Sequence, residues 1–204
     1  MKHWRTPLIK GLVLSISLLP VACSGESAAP GESPTPAVSL SPSPTAGAQP
    51  TTRSIGVMTP EGYQKKEAKL QQGTGYSFYM FDGFSFDPAK GRLSLAAAPE
   101  YYAVIERLPA GFSVDTLRKQ GQEELAKFGE TREYTGELVE HPLRFTELYL
   151  QVSAVEGVWD YMVWKSEAGK PFLFRLHNPK GEAAAQFAQP VQVMLSTVEA
   201  GGKP

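Results

Sequence analysis

The chain has little cysteine, little histidine, no excess of basic charge and no long uninterrupted apolar run. Cys23 is the only cysteine among 204 residues, so no disulfide forms within the chain. Of the three histidines, His3 precedes Cys23, and His141 and His177 lie in separate segments. No HExxH, paired-cysteine or EF-hand pattern occurs, so the sequence predicts neither a zinc nor a calcium site, and no cofactor. His141 precedes Pro142, and His177 precedes Asn178-Pro179; both read as strand-end residues. Gly73-Thr74-Gly75 lacks the third glycine of a dinucleotide loop, and Gly111-Phe112-Ser113-Val114-Asp115 lacks the second glycine of a nucleophile elbow.

Lys and Arg number 20 against 21 Asp and Glu. Lys2, Arg5 and Lys10 fall ahead of Cys23, where there is no acidic residue, leaving 17 basic against 21 acidic residues and a net charge of −4. Mild acidity without a basic stripe argues against nucleic acid as a partner. The stretch from Leu8 to Leu19 is interrupted and shorter than the about 20 apolar residues a membrane-spanning helix needs. Behind a basic start it has the shape of a secretory signal.

What is present begins with Pro20-Val21-Ala22-Cys23. It resembles the lipobox of bacterial lipoproteins. The resemblance implies a signal peptide over residues 1–22, cleavage between Ala22 and Cys23, and lipidation of Cys23. The expected protein is a lipoprotein on the extracytoplasmic side of a membrane, partnered with that membrane through its anchor. Ser24 to Ser54 is dominated by Ser, Pro, Thr, Ala and Gly. Such a composition buries too little apolar surface to offset chain entropy, and residues 23–54 read as a disordered tether.

Residues 55–200 read as a single domain. Tyr76, Phe78 and Met80 alternate along a strand, Asp82-Gly83 signals a hairpin into Phe84 and Phe86, and Asp87-Pro88-Ala89-Lys90-Gly91 turns the chain again. Arg92–Ala97 and Tyr101–Leu108 follow as strands. Ser113 caps a helix whose face carries Val114, Leu117, Gly121, Leu125 and Phe128, with Gly129 as its stop. Arg132–Glu140 and Leu143–Val155 read as strands, the latter with a bulge at Thr146-Glu147. The chain then forms a hairpin, Val158–Lys165 with Lys170–His177. A four-residue loop would pair Val163 with Phe172, Tyr161 with Phe174, Trp159 with Leu176 and Met162 with Leu173. Asp160 then faces Arg175 across the strands. The chain ends in two short helices divided at Pro190, with Phe187, Val191, Met194, Leu195 and Val198 on one stripe.

This order predicts an α+β fold, an antiparallel sheet with helices packed on it. Its element order, the Phe84-Ser85-Phe86 strand and the Phe187…Met194-Leu195 helix resemble the PsbP/Mog1-like family. That resemblance implies an α-β-α sandwich and a protein that is an adaptor or assembly factor, not an enzyme. The expected function is therefore a non-catalytic protein-binding module of the cell envelope, with an unidentified envelope protein as partner. A small-ligand binder using an aromatic face of the sheet is the alternative, with Trp164, Asp160, Arg175 and His177 as candidate surface residues. Trp159, Tyr161, Tyr149 and Phe172 could line an aromatic groove with Trp164, but most of these five read as core. Glu123, Glu124, Glu130, Glu133, Glu137 and Glu140 could supply the carboxylate pairs of a hydrolase, but read as solvated faces.

Overall fold

The computed structural model describes residues 49–59, 61–135, 142–143 and 146–201. Cys23, Ala22 and the leader, most of the expected tether, and His141 lie outside them. Six strands come first: β1 (Thr52–Thr59), β2 (Gly62–Gly73), β3 (Tyr76–Phe81), β4 (Phe84–Asp87), β5 (Arg92–Leu95) and β6 (Tyr102–Arg107). Helix α1 (Val114–Leu125) leads to β7 (Arg132–Tyr134), β8 (Leu148–Ser153), β9 (Gly157–Lys165) and β10 (Pro171–Pro179). Helix α2 (Ala184–Leu195) and the short β11 (Glu199–Ala200) complete the chain order. The class is α+β, and all strand pairings are antiparallel.

Two sheets form. One has the order β1-β2-β3-β11 and the other β4-β5-β6-β10-β9-β8-β7. β1 begins at Thr52, taking in residues that the composition had assigned to the tether. Gln49 and Pro50 are also fixed: Ser77 Oγ donates to Gln49 Oε1 at 2.7 Å, and Tyr79 Oη donates to the Pro50 carbonyl at 2.9 Å. At the other end, Glu199 pairs with Ser77, and Gly201 N donates to the Gly75 carbonyl at 3.0 Å. Asp82-Gly83 does not close a hairpin. Gly83, at φ +88°, turns the chain out of the four-stranded sheet into β4 of the seven-stranded one. β3 is buried on both faces, because it lies in the interior of one sheet and packs against elements on both sides.

The larger core joins the four-stranded sheet, α2 and one face of the seven-stranded sheet, through Phe78, Phe81, Leu93, Phe172, Phe174, Phe187 and Met194. The smaller core lies beneath α1 on the opposite face, around Leu117, Leu125, Leu150, Tyr161, Val163 and Leu173. Fully burying such a side chain stabilises by about 1.5–3 kcal/mol. Ser113 Oγ accepts from Thr116 N at 3.3 Å and caps α1. Gly121 lets α1 settle on the sheet: a Cβ there would stand 2.7 Å from both Leu150 Cδ1 and Tyr161 Cδ1. α1 ends at Leu125, ahead of Gly129, and its trailing turn closes through Phe128 N and the Leu125 carbonyl.

Several expectations need correction. α2 is one helix with Pro190 inside it, not two short ones. Pro190 has no N–H for the preceding turn, a defect of about 3 kcal/mol. The continuous helix buries Phe187, Val191, Met194 and Leu195 together, and that outweighs the defect. β8 starts at Leu148 rather than Leu143, and at its start Glu147 N donates to the Val163 carbonyl at 2.8 Å while Val163 pairs with Leu148, so two successive residues oppose one, as in the bulge expected there. The β9–β10 register is also one residue away from the expected one. Trp164 pairs with Phe172, Met162 with Phe174, Tyr161 with Arg175, Asp160 with Leu176 and Trp159 with His177. Lys165 faces Pro171, and the loop between them is tied by Ser166 N to the Lys170 carbonyl. Because the sheet is covered on both faces, apolar residues occur at odd and even positions alike, and alternation does not choose between registers.

Candidate functional site

The one-residue shift divides the four expected surface residues between the two faces of the seven-stranded sheet. Asp160 and Trp164 point into the larger core, and Trp164 packs against Phe174 at 5.7 Å between ring centroids. Arg175 and His177 point to the α1 side. Asp160 and Arg175 are therefore not a cross-strand pair.

Asp160 is held by Tyr149, one of the aromatic candidates, and by Gln151, which the sequence did not single out. Its Oδ1 accepts from Tyr149 Oη at 3.0 Å and from Gln151 Nε2 at 2.8 Å, and Tyr134 Oη donates to Gln151 Oε1 at 3.1 Å. Burial pushes the Asp160 carboxyl up to about 6, against the opposing pull of those two hydrogen bonds. Burial also raises the Tyr149 phenol, and the Asp160 carboxylate adds to that shift.

On the α1 face the same shift creates a row that the sequence reading missed. Trp159 faces His177, and His177 faces Tyr102, so one rung crosses β9, β10 and β6. The Trp159 and His177 rings stack at 4.7 Å and 22°, and His177 meets Tyr102 edge-on at 5.5 Å. Phe128, from the turn after α1, stacks on the other side of Trp159 at 4.6 Å and 8°. Arg92 closes the row with its guanidinium carbon 3.6 Å from the Tyr102 ring centroid. Aromatic pairs of this kind contribute about 0.5–1.5 kcal/mol beyond their burial. Phe128 is exposed, and Trp159, His177, Tyr102 and Arg92 are half-buried, so the row forms part of the surface. Burial lowers the His177 pKa, a hydrogen bond to the Glu100 backbone opposes that shift, and Arg92 reinforces it.

Beside the row, at the C-terminal end of α1, lies a depression of about 190 Å³ lined by Tyr102, Val104, Glu124, Phe128, Trp159 and Arg175. Arg175 is fixed at its edge by two carboxylates: Nε donates to Glu124 Oε2 at 3.0 Å and Nη1 to Glu106 Oε2 at 2.7 Å. Burial alone would lower its pKa, but the Glu106 hydrogen bond and the Glu124 charge outweigh it, and the net direction is upward. Glu133 is likewise paired, accepting from Arg118 Nε at 3.0 Å. Among the described residues, no group of three His, Cys, Asp or Glu side chains could hold a metal ion. No helix among them is long and apolar enough to cross a membrane.

Fold and site together define an α+β domain with an aromatic row set into the helix-covered face of its larger sheet. Residues 49–199 match the model of the family described as Domain of unknown function (DUF8580), and the chain belongs to that family. No curated protein and no solved structure matches it.

Proposed function

We propose that this protein is a lipid-anchored, extracytoplasmic lipoprotein whose folded domain is a non-catalytic protein-binding or adaptor module of the cell envelope. The observation that carries the binding role is the surface row Phe128–Trp159–His177–Tyr102–Arg92 beside its small depression. Pockets that enclose a free small ligand commonly measure about 300–1,000 Å³. A depression of about 190 Å³ suits a single side chain presented by a protein partner. Trp, Tyr and Arg are also the residue types in which interface energy concentrates. The anchor rests on the resemblance at Pro20-Val21-Ala22-Cys23, and the Ser/Pro-rich stretch behind it would give the domain reach. The proposed architecture is an α-β-α sandwich of the PsbP/Mog1-like kind, supported by α1 on one face of the larger sheet and α2 on the other.

The test is cross-linking of the full-length protein in intact cells, with Trp159→Ala and Cys23→Ala forms in parallel. The expected result is one dominant protein partner that is lost with Trp159→Ala. Cys23→Ala should leave the membrane fraction while remaining folded. A partner retained by Trp159→Ala overturns the aromatic row as the binding face. Membrane retention of Cys23→Ala overturns the anchor. No protein partner, together with a saturable Trp159 fluorescence change on adding small molecules, would instead favour a ligand binder.

A further inference from the structure

We propose that the cavity at the start of α1 is a binding site for an amphiphilic anion, a phosphate- or carboxylate-bearing group on a short apolar stem. The cavity measures about 490 Å³ and opens where β6 ends, β9 turns into β10 and α1 begins. Pockets that hold a small molecule commonly measure about 300–1,000 Å³. The depression beside the aromatic row, at about 190 Å³, lies at the other end of α1 and is too small for such a molecule. The site rests on neither that row nor the proposed anchor.

Charge selects the head of the ligand. Among the described residues, three cations line the cavity, Arg107, Lys165 and Lys170, against one carboxylate, Glu147. Glu147 is already taken, because Lys165 Nζ donates to its Oε1 at 2.5 Å. Arg107 and Lys170 make no ion pair among the described residues. The uncompensated charge is therefore positive, in a chain with 21 acidic residues against 20 basic ones. A concave wall carrying charge of one sign gathers ligands of the other. Both cations project from fixed backbone. Arg107 pairs with Phe172 in the β6–β10 ladder, and its Nη1 lies beside Gly75, where an added Cβ would stand 3.0 Å from it. Lys170 is tied to Ser166 twice, its N donating to Ser166 Oγ at 3.4 Å and its carbonyl accepting from Ser166 N at 2.9 Å.

Apolar surface selects the stem. Leu108, Phe112 and Val114 line the cavity and pack into the smaller core. Pro171 completes that wall, its carbonyl accepting from Leu108 N at 3.1 Å. An inorganic ion would meet the cations and leave the apolar wall wet. An uncharged hydrocarbon would cover the wall and take water from the cations without replacing it. A molecule with both parts satisfies both.

The test is isothermal titration calorimetry of the full-length Cys23→Ala protein with hexyl phosphate, inorganic phosphate and hexanol, with far-UV circular dichroism to confirm folding. Hexyl phosphate should bind one-to-one, about tenfold or more tighter than phosphate or hexanol alone, and more weakly at high salt. Arg107→Gln with Lys170→Gln should weaken it by about tenfold or more. Lys165→Gln with Glu147→Gln removes a neutral pair and should leave the affinity within about threefold. No saturable binding of hexyl phosphate, equal binding of hexanol, or an affinity that follows the Lys165–Glu147 pair and not Arg107 and Lys170 overturns the proposal. Vesicles separate the two sources of the anion. Co-sedimentation with phosphatidylglycerol but not phosphatidylcholine, lost in the Arg107→Gln, Lys170→Gln form, assigns it to a lipid headgroup. Hexyl phosphate binding without that co-sedimentation assigns it to a free amphiphile.

Discussion

Asp160 is a carboxyl buried among Tyr149, Gln151 and the larger core, with a pKa raised to about 6. An unfolded aspartate titrates near about 3.9. The folded state thus binds the proton more tightly. The contribution favours folding fully below about pH 4, and it is lost as the pH rises through about 6. About two units correspond to roughly 3 kcal/mol. Asp160→Asn, which keeps an acceptor for Tyr149 and Gln151, should remove this dependence and raise stability at pH 7 by about 1–3 kcal/mol. Urea midpoints of both forms between pH 4 and pH 7 measure it. His177 titrates with the opposite sign, since its pKa is lowered, and its slope should persist in the variant. A variant that keeps the full wild-type slope over that range would show that Asp160 is not its source.

At the level of elements, local chemistry was legible where a single residue decides the outcome. Ser113 caps α1 and Gly121 admits its close approach, both visible as residue types at helical spacing. Ser113→Ala should cost about 1 kcal/mol in urea unfolding, with Thr116 N left unsatisfied. Asp87 also behaves as a turn residue, its Oδ1 accepting from Ala89 N and Lys90 N. What the sequence left open was register and sheet membership. Asp82-Gly83 has hairpin chemistry, but β3 finds better partners in β2 and β11, and the turn becomes a bridge between sheets. Asp160 and Arg175 look like a charge pair only if the β9–β10 loop is one residue shorter than it is. Moving that register by one position dissolved the expected site and aligned Trp159, His177 and Tyr102, which no local signal connects. The phase of the α2 stripe carried more information than Pro190: positions 187, 191, 194 and 195 fit one unbroken helix, and Val198 lies past its end, buried in the same core.

Across the whole molecule, the boundary of the folded unit is the main correction. The composition changes near Ile55, yet Gln49, Pro50 and Thr52–Ser54 all have partners within the domain. A chain beginning at Gln49 should be more stable than one beginning at Ile55. The difference should be about 2–3 kcal/mol, from the lost ladder and two side-chain hydrogen bonds at about 1 kcal/mol each. Thermal or urea unfolding of the two fragments measures it, and equal midpoints would return those residues to the tether. The division into two cores also limits how damage spreads. α1 rests on the smaller one, and α2 with the four-stranded sheet on the larger.

The first and last described segments both end at the start of β3, Gln49 through Ser77 and Gly201 through Gly75 in the turn just before it. Neighbouring ends make the order in which the chain is written a separable property of the fold. A short glycine-rich linker from Gly201 to Gln49, with new ends opened between Ala168 and Gly169, should give a circular permutant with native circular dichroism and cooperative unfolding. The same closeness means that the domain could be spliced into a surface loop of a host protein without prising that loop apart.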